Sequence, residues 1–190
     1  MGYSTWFDGS LKFNKPVEDW LVKYINGFSE TRRMKRDNEK IKELFPNWKK
    51  MCFAGNLGEE GEYFIGSLGF LGQDKDGSVV NHNDPPAAQP GLWCQWVINE
   101  DDELVWDEGE KFYEYVAWLH YLVDNFFDPL GYVLNGDIIW EGEDSDDVGT
   151  IHVIDNHIEI EDGVHVYSMS DISDSELIDE LEKRGYKVAM

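Results

Sequence analysis

Arg32 and Arg33, followed by Lys35 and Arg36, are the first residues whose types and spacing could do chemistry. Adjacent guanidinium groups present paired N–H donors that match the oxygen geometry of a phosphate or carboxylate. The same run falls where a helix is expected to end, and there the helix dipole favours cations without any ligand. The stretch QPGLWCQW, residues 89–96, supplies a second candidate. On a strand alternate side chains share a face, so Trp93 and Gln95 are expected together, opposite Leu92, Cys94 and Trp96. An indole beside a carboxamide suits stacking on a planar ring while its polar edge is read. The plainer alternative is that a glycine-rich loop covers Trp93 as a second small core. Lys111 is the only Lys or Arg between residues 76 and 182, with pairing to Glu108 or Glu114 as its plainer role. Trp140 shares its strand face with Ile138 and is expected in the core.

Other chemistries find little support. The chain has no GxSxG, no Walker A loop and no GxGxxG after a strand. Carboxylate pairs are so abundant that no one pair singles itself out as a glycosidase-type dyad. GQDKDGSVVNHND (72–84) and EGEDSDD (141–147) hold oxygen ligands but miss the EF-hand spacing. A weak calcium site there is the remaining alternative; no metal and no cofactor are expected. The five histidines show no HExxH or paired zinc spacing, and His152 and His157 are expected on strands facing solvent. Cys52 and Cys94 are too few for a disulfide scaffold and read as buried, reduced thiols. An enzyme is therefore the minority reading.

Charge divides the chain. Residues 1–96 hold 12 Lys/Arg and 13 Asp/Glu, whereas residues 97–190 hold 4 and 26, so the second half carries nearly all of the net −23. Residues 32–50 form the one basic patch, with eight cations against three anions. Free nucleic acid is not expected as a partner, because phosphate binding needs a basic surface. A basic protein surface, or one anionic group held by the local patch, fits better. No apolar run is long enough to span a membrane and no leader is evident, so a cytoplasmic protein with no membrane partner is expected.

Periodicity places the elements that must position these residues. Residues 4–13 read as an extended segment or tight hairpin around Asp8-Gly9. A helix follows, opened by Asn14 and Pro16, carrying Val17, Trp20, Leu21, Tyr24, Ile25 and Phe28 on its apolar face and ending near Arg33. A short helix is expected at 38–45, stopped by Pro46. Glycine and proline density makes 55–91 a long loop with a short strand at Tyr63–Leu68. Strands are expected at 92–98 and 103–107, then an amphipathic helix from Phe112 to Phe126 ended by Pro129 and Gly131. Further strands follow at 131–141, with a turn at Asn135-Gly136, and at 149–161, with a turn at Asp155-Asn156. A terminal helix is expected at 171–185. The order predicts an α+β fold, an antiparallel sheet with two main helices on one face, for which a split βαβ, ferredoxin-like arrangement is one solution. Residues 1–162 are expected as a single domain and 163–190 as a helical appendage.

The segments MGYSTWF, FSETRRMKRD, PPAAQPGLWCQW, WDEGEKFYEYVAWLHYL and GYVLNGDIIWEGEDSDDVGTI resemble a family of small uncharacterised proteins of bacteria and their phages. The resemblance covers most of residues 1–155 and leaves out 36–60 and 163–190. It includes polar and aromatic residues outside an obvious core: Arg32, Arg33, Gln89, Trp93, Gln95, Lys111, Asn135 and Asp144. A phage association implies an antagonist of host defence, acting in the host cytoplasm. Two routes are open. In the first, the arginines take phosphate, Trp93 stacks on a base, and Gln95 or Asn135 reads its edge, so that a nucleotide-like signal is sequestered. In the second, carboxylates such as Glu141, Glu143, Asp144, Asp146 and Asp147 mimic nucleic acid and block the groove of a basic host protein. The first is preferred because the mixed cationic, aromatic and amide set belongs to the part carrying the resemblance. A small enzyme acting on a nucleotide-like substrate is the third reading.

Overall fold

The computed structural model describes residues 2–66, 73, 75–163, 178 and 183. Its centre is an antiparallel sheet built from β1 (Thr5–Phe13), β4 (Trp96–Ile98), β5 (Glu103–Trp106), β6 (Leu134–Gly142), β7 (Val148–Ile154) and β8 (His157–Asp162), in the order β4-β5-β1-β6-β7-β8. Helix α1 (Asp19–Ser29) connects β1 to β4, and β5 slots between those two strands. Helix α3 (Tyr115–Leu122) connects β5 to β6 across β1 in the same way. These are two interleaved split βαβ units, the ferredoxin-like arrangement, extended at one edge by the β7–β8 hairpin. The turn of that hairpin is Asp155-Asn156, both at positive φ, as expected.

Alternation along the strands decides which face meets the helices. On β6, Leu134, Ile138 and Trp140 are buried and Asn135, Asp137, Ile139 and Glu141 are exposed. On α1, Leu21, Tyr24, Ile25 and Phe28 recur at helical spacing and are buried. They form one core with Leu11, Trp96, Leu104, Trp118, Leu122 and Phe126. Burial of side chains this large contributes about 1.5–3 kcal/mol each relative to exposure. Trp20 does not join them. It is 45% exposed, and Val17 takes the place in the core.

Several local expectations are corrected. Asp8-Gly9 and Asn135-Gly136 are not turns, because β1 and β6 pair from Thr5↔Gly142 to Phe13↔Leu134 straight through both. Gly9 (φ 106) and Gly136 (φ 146) sit where a Cβ would strike the facing backbone oxygens of Asp137 and Ser10. Glycine is there for close approach of two strands rather than for reversal. Helix α1 starts at Asp19 rather than beside Pro16, since Asn14 is committed to Val133, donating its amide to the carbonyl (2.9 Å) and accepting the amide with its side chain (3.0 Å). It also ends at Ser29, four residues before Arg33. Phe112 is buried but precedes α3, which continues through a five-residue π-turn, Val123–Phe127, into a 3-10 turn at Asp128–Leu130.

Between α1 and β4 the chain makes an excursion over residues 30–95. Among the described residues it holds β2 (Lys35–Arg36), α2 (Asn38–Leu44, capped by Asp37), three 3-10 turns and β3 (Val79–Asn81), which pairs with β2. Ile41, Cys52, Leu57 and Phe64 form its own small core. In place of the strand expected at 63–68 there is one bridge, Phe64 with Cys52; residues 67 and 68 lie outside the described residues. The C-terminal appendage also lies outside them, apart from residues 163, 178 and 183, the last two helical.

Candidate functional site

Arg32 and Trp93 do come together, the guanidinium lying 5.9 Å from the indole centroid while Nε donates to the carbonyl of His82 (3.0 Å). Partial burial holds the Arg32 pKa below its ordinary value. Arg33 is buried instead of offering a fork. It lies 4.0 Å over the Phe28 ring, and its Nη2 donates to the carbonyls of Glu62 (2.7 Å) and Phe64 (3.0 Å). Gln89 supports it, accepting from Arg33 Nε at 3.4 Å and donating to the Glu62 carbonyl at 2.6 Å. Burial lowers the Arg33 pKa to about 10, so the cation persists at neutral pH. Arg36 is likewise occupied, by Asp76 (2.5 Å) and Ser78 (2.7 Å).

The remaining expected residues disperse. Strand β4 begins only at Trp96, because Leu92 is drawn to the excursion through the Arg33 amide (2.9 Å). The alternation that would have paired Trp93 with Gln95 is therefore lost. Gln95 turns toward the segment before α3, donating to the Glu110 carbonyl (2.9 Å) and accepting from Trp106 Nε1 (3.1 Å). Lys111, at φ 62, passes its side chain over Gly2 and has no ion pair with Glu108 or Glu114. Asn135 accepts the Asp155 amide (3.0 Å), and Asp144 donates its amide to the Tyr3 hydroxyl (3.1 Å). Both residues secure turns at opposite ends of β6.

What the tertiary structure assembles is the sheet face that no described element covers. Asp8 on β1, Asp137 and Glu141 on β6, and Glu159 and Glu161 on β8 all project from it and are exposed. The register sets them in rows: Asp8, Ile139, Thr150, Glu161 across one, and Ser10, Asp137, His152, Glu159 across the next. The basic groups on this face pair with its acids, His157 meeting Glu159 at 3.3 Å. Lys12 meets Glu103 at 3.4 Å, and His152 lies between Asp137 (2.6 Å) and Glu161 (3.1 Å). Those two hydrogen bonds, Asp137 first, raise the His152 pKa above its ordinary value. Trp6 and Ile139 leave apolar surface among the acids, at 52% and 54% exposure.

Glu143, Asp144 and Asp146 extend the acidic field past the end of β6. Asp147 does not, since it accepts from the Tyr3 hydroxyl (2.6 Å) and Trp140 Nε1 (3.1 Å). On the N-terminal side of Leu11, where β1 no longer pairs with β5, a cleft opens between the strands, lined by Trp6, Phe7, Asp8, Trp106 and Glu108. Indole faces beside carboxylates suit a guanidinium or ammonium group. Charge runs such as 141–147 are visible in the sequence, but Asp8, Asp137 and the pair Glu159 and Glu161 belong to three different strands, and only register unites them.

Neither thiol is poised for chemistry. Burial pushes Cys94 up to about 12 and Cys52 up to about 11, far from a thiolate at neutral pH. Among the described residues no group of three or more His, Cys, Asp or Glu side chains is placed to hold a metal ion, and no helix is long and apolar enough to cross a membrane. No protein-family model, curated protein or solved structure matches the chain.

Proposed function

We propose that this protein is a non-enzymatic binding protein whose acidic sheet face occupies a cationic surface of another protein, of the kind that otherwise holds nucleic acid. The observation that carries this reading is the set Asp8, Asp137, Glu141, Glu159 and Glu161 on one sheet face that no described element covers, an acidic excess that His152 between Asp137 and Glu161 and His157 beside Glu159 offset only in part. A rigid antiparallel sheet steps about 4.8 Å per strand, so Asp137 and Glu159, two strands apart, lie about 10 Å from each other and Asp8 and Glu161, three strands apart, about 14 Å. Duplex nucleic acid carries about one charge per 1.7 Å of axis; the face is sparser than that, but it holds its carboxylates in fixed rows without the flexibility of an acidic tail. Trp6 and the cleft beside it supply the anchor, since interfaces draw their energy from a few aromatic and charged contacts inside a broader field. In the phage setting that the sequence resemblance implies, the target is a nucleic-acid-binding component of host defence in the cytoplasm.

The test is competition. Purified basic nucleic-acid-binding proteins are loaded with a fluorescent duplex, and displacement by this protein is followed by anisotropy. Displacement is expected at low salt and should fall steeply between about 50 and 200 mM, as counterion-linked binding does. A D8N/D137N/E141Q/E159Q/E161Q variant should fold and fail to displace. A complex indifferent to salt, or a neutralised variant that competes as well as the parent, would end the proposal.

A further inference from the structure

The excursion at residues 30–95 carries a site of opposite character. A cleft of about 570 Å³ lies between α1, the 3-10 turns Trp48–Lys50 and Phe53–Gly55, and Leu130. Lys23, Lys49 and Lys50 reach it from two elements, and among the described residues no carboxylate lines it, although Glu18 stands beside Trp20. That is unusual in a chain with 39 Asp/Glu against 16 Lys/Arg. Three other clefts each contain acids: Asp8 and Glu108, then Asp101 with Asp102 and Glu103, then Asp155 and Glu159. Among the described residues, none of the three ammonium groups is engaged in an ion pair. All three lysines are exposed, and Lys49 also lies 5.6 Å from the Trp48 ring centroid; an anion seated in the concavity would meet several positive charges at once.

The remaining walls are apolar and aromatic. Trp20 stands at the cleft with 45% of its surface exposed, tilted 38° to Phe53 at 6.1 Å, its Nε1 donating to Glu18 (2.6 Å). A fixed, half-exposed indole is a stacking platform for a flat ring. Tyr24, Ile65 and Leu130 complete an apolar floor. Cys52 donates its thiol to the Trp48 carbonyl and serves as wall rather than nucleophile. The volume is that of a site for a small molecule, within the usual range of roughly 300–1,000 Å³. Ammonium groups are compact point charges suited to phosphate, and three of them match a multiply charged chain better than a single carboxylate.

We propose that this cleft binds a small ligand carrying a flat ring and a polyphosphate group. It is independent of the acidic sheet face and uses none of Arg33, Gln89 or Gln95.

Calorimetry on the full chain at low salt tests it with three probes: ATP, inorganic triphosphate and adenosine. ATP should bind at least about tenfold more tightly than either partial probe, because both parts of the cleft are then filled. K49E/K50E and, separately, K23E should weaken ATP by about tenfold or more while the protein still melts cooperatively; the two variants lie on different elements, so a folding defect in one does not decide the result. W20A should weaken ATP and leave inorganic triphosphate unchanged. The D8N/D137N/E141Q/E159Q/E161Q variant should bind ATP undiminished, which separates this site from the sheet face. No heat from ATP at millimolar concentration overturns the proposal, as does ATP binding unaffected by the lysine variants. Equal affinity for ATP and inorganic triphosphate overturns the stacking role of Trp20.

Discussion

In the sheet, β1 and β6 stay in register from Thr5↔Gly142 to Phe13↔Leu134, and side chains sort by alternation into a buried face and an exposed one. Among the described residues of the excursion at 30–95 the strand pairing amounts to Lys35–Arg36 with Val79–Asn81 and the single bridge Cys52 with Phe64, and many backbone groups are met by side chains instead. Arg33 and Gln89 take the carbonyls of Glu62 and Phe64, Asn38 takes that of Gly58, and Asp37 takes the amides of Glu39 and Lys40. A ladder spreads its stabilisation over many equivalent bonds. An irregular segment concentrates it in a few buried polar groups, and loss of one strands several partners at once. The surfaces differ to match: the regular layer displays acids in rows, and the irregular one gathers lysines around a hollow.

The largest expected effect tests that concentration. Arg33→Ala would remove a buried cation, leave the Glu62 and Phe64 carbonyls and Gln89 short of donors, and open a cavity against Phe28. It should lower unfolding free energy in urea by roughly 3 kcal/mol or more. Hydrogen exchange should quicken in the excursion before the sheet. A loss below about 1 kcal/mol, or uniform quickening, would break the contrast between the two regions.

Gly9→Ala comes next. At φ 106, with the Asp137 carbonyl where a Cβ would go, the strand must bend or separate. A loss of roughly 2 kcal/mol is expected in the same denaturation experiment. A neutral result would show that the ladder tolerates at its tightest point what it tolerates elsewhere.

The smallest effect is a pH dependence. His152 is held above its ordinary pKa by Asp137 and then Glu161, so the folded state binds its proton more tightly than the unfolded chain. The resulting stabilisation is fully present below the unfolded value of about 6.5 and is lost as pH rises through the raised folded value. The difference in Tm between the parent and His152→Gln should be positive near pH 5.5 and vanish well above neutrality. Because both proteins share the remaining charge, the difference isolates this contact. A flat difference would show that the acids around His152 act only as a diffuse field.

Much of the fold was legible in residue order. Helical spacing of Leu21, Tyr24, Ile25 and Phe28, and alternation through Ile138 and Trp140, are consequences of burying one face, and burial dominates local choice. The Asp155-Asn156 turn was legible too. Asp8-Gly9 and Asn135-Gly136 were not, because positive φ serves a tight turn and a close strand crossing alike, and the dipeptide does not say which. Trp20 fell on the helical stripe but at its margin, beyond the reach of the core. The candidate site was least legible. Arg33, Gln89 and Gln95 have the types of ligand-binding residues, yet a donor's type does not say whether its acceptor will be a ligand or the protein's own backbone.

The sequence by itself determined the main helices and strands to within a few residues, the concentration of acid in the second half and the antiparallel α+β class, because these rest on periodicity and composition, which are local sums. Only the tertiary structure decided that Asp8, Asp137, Glu141, Glu159 and Glu161 share one exposed face, and that Lys23 meets Lys49 and Lys50 around Trp20. Those groupings depend on strand register and on where a long excursion packs. Both are settled by the burial of a common core, to which every distant part of the chain contributes at once.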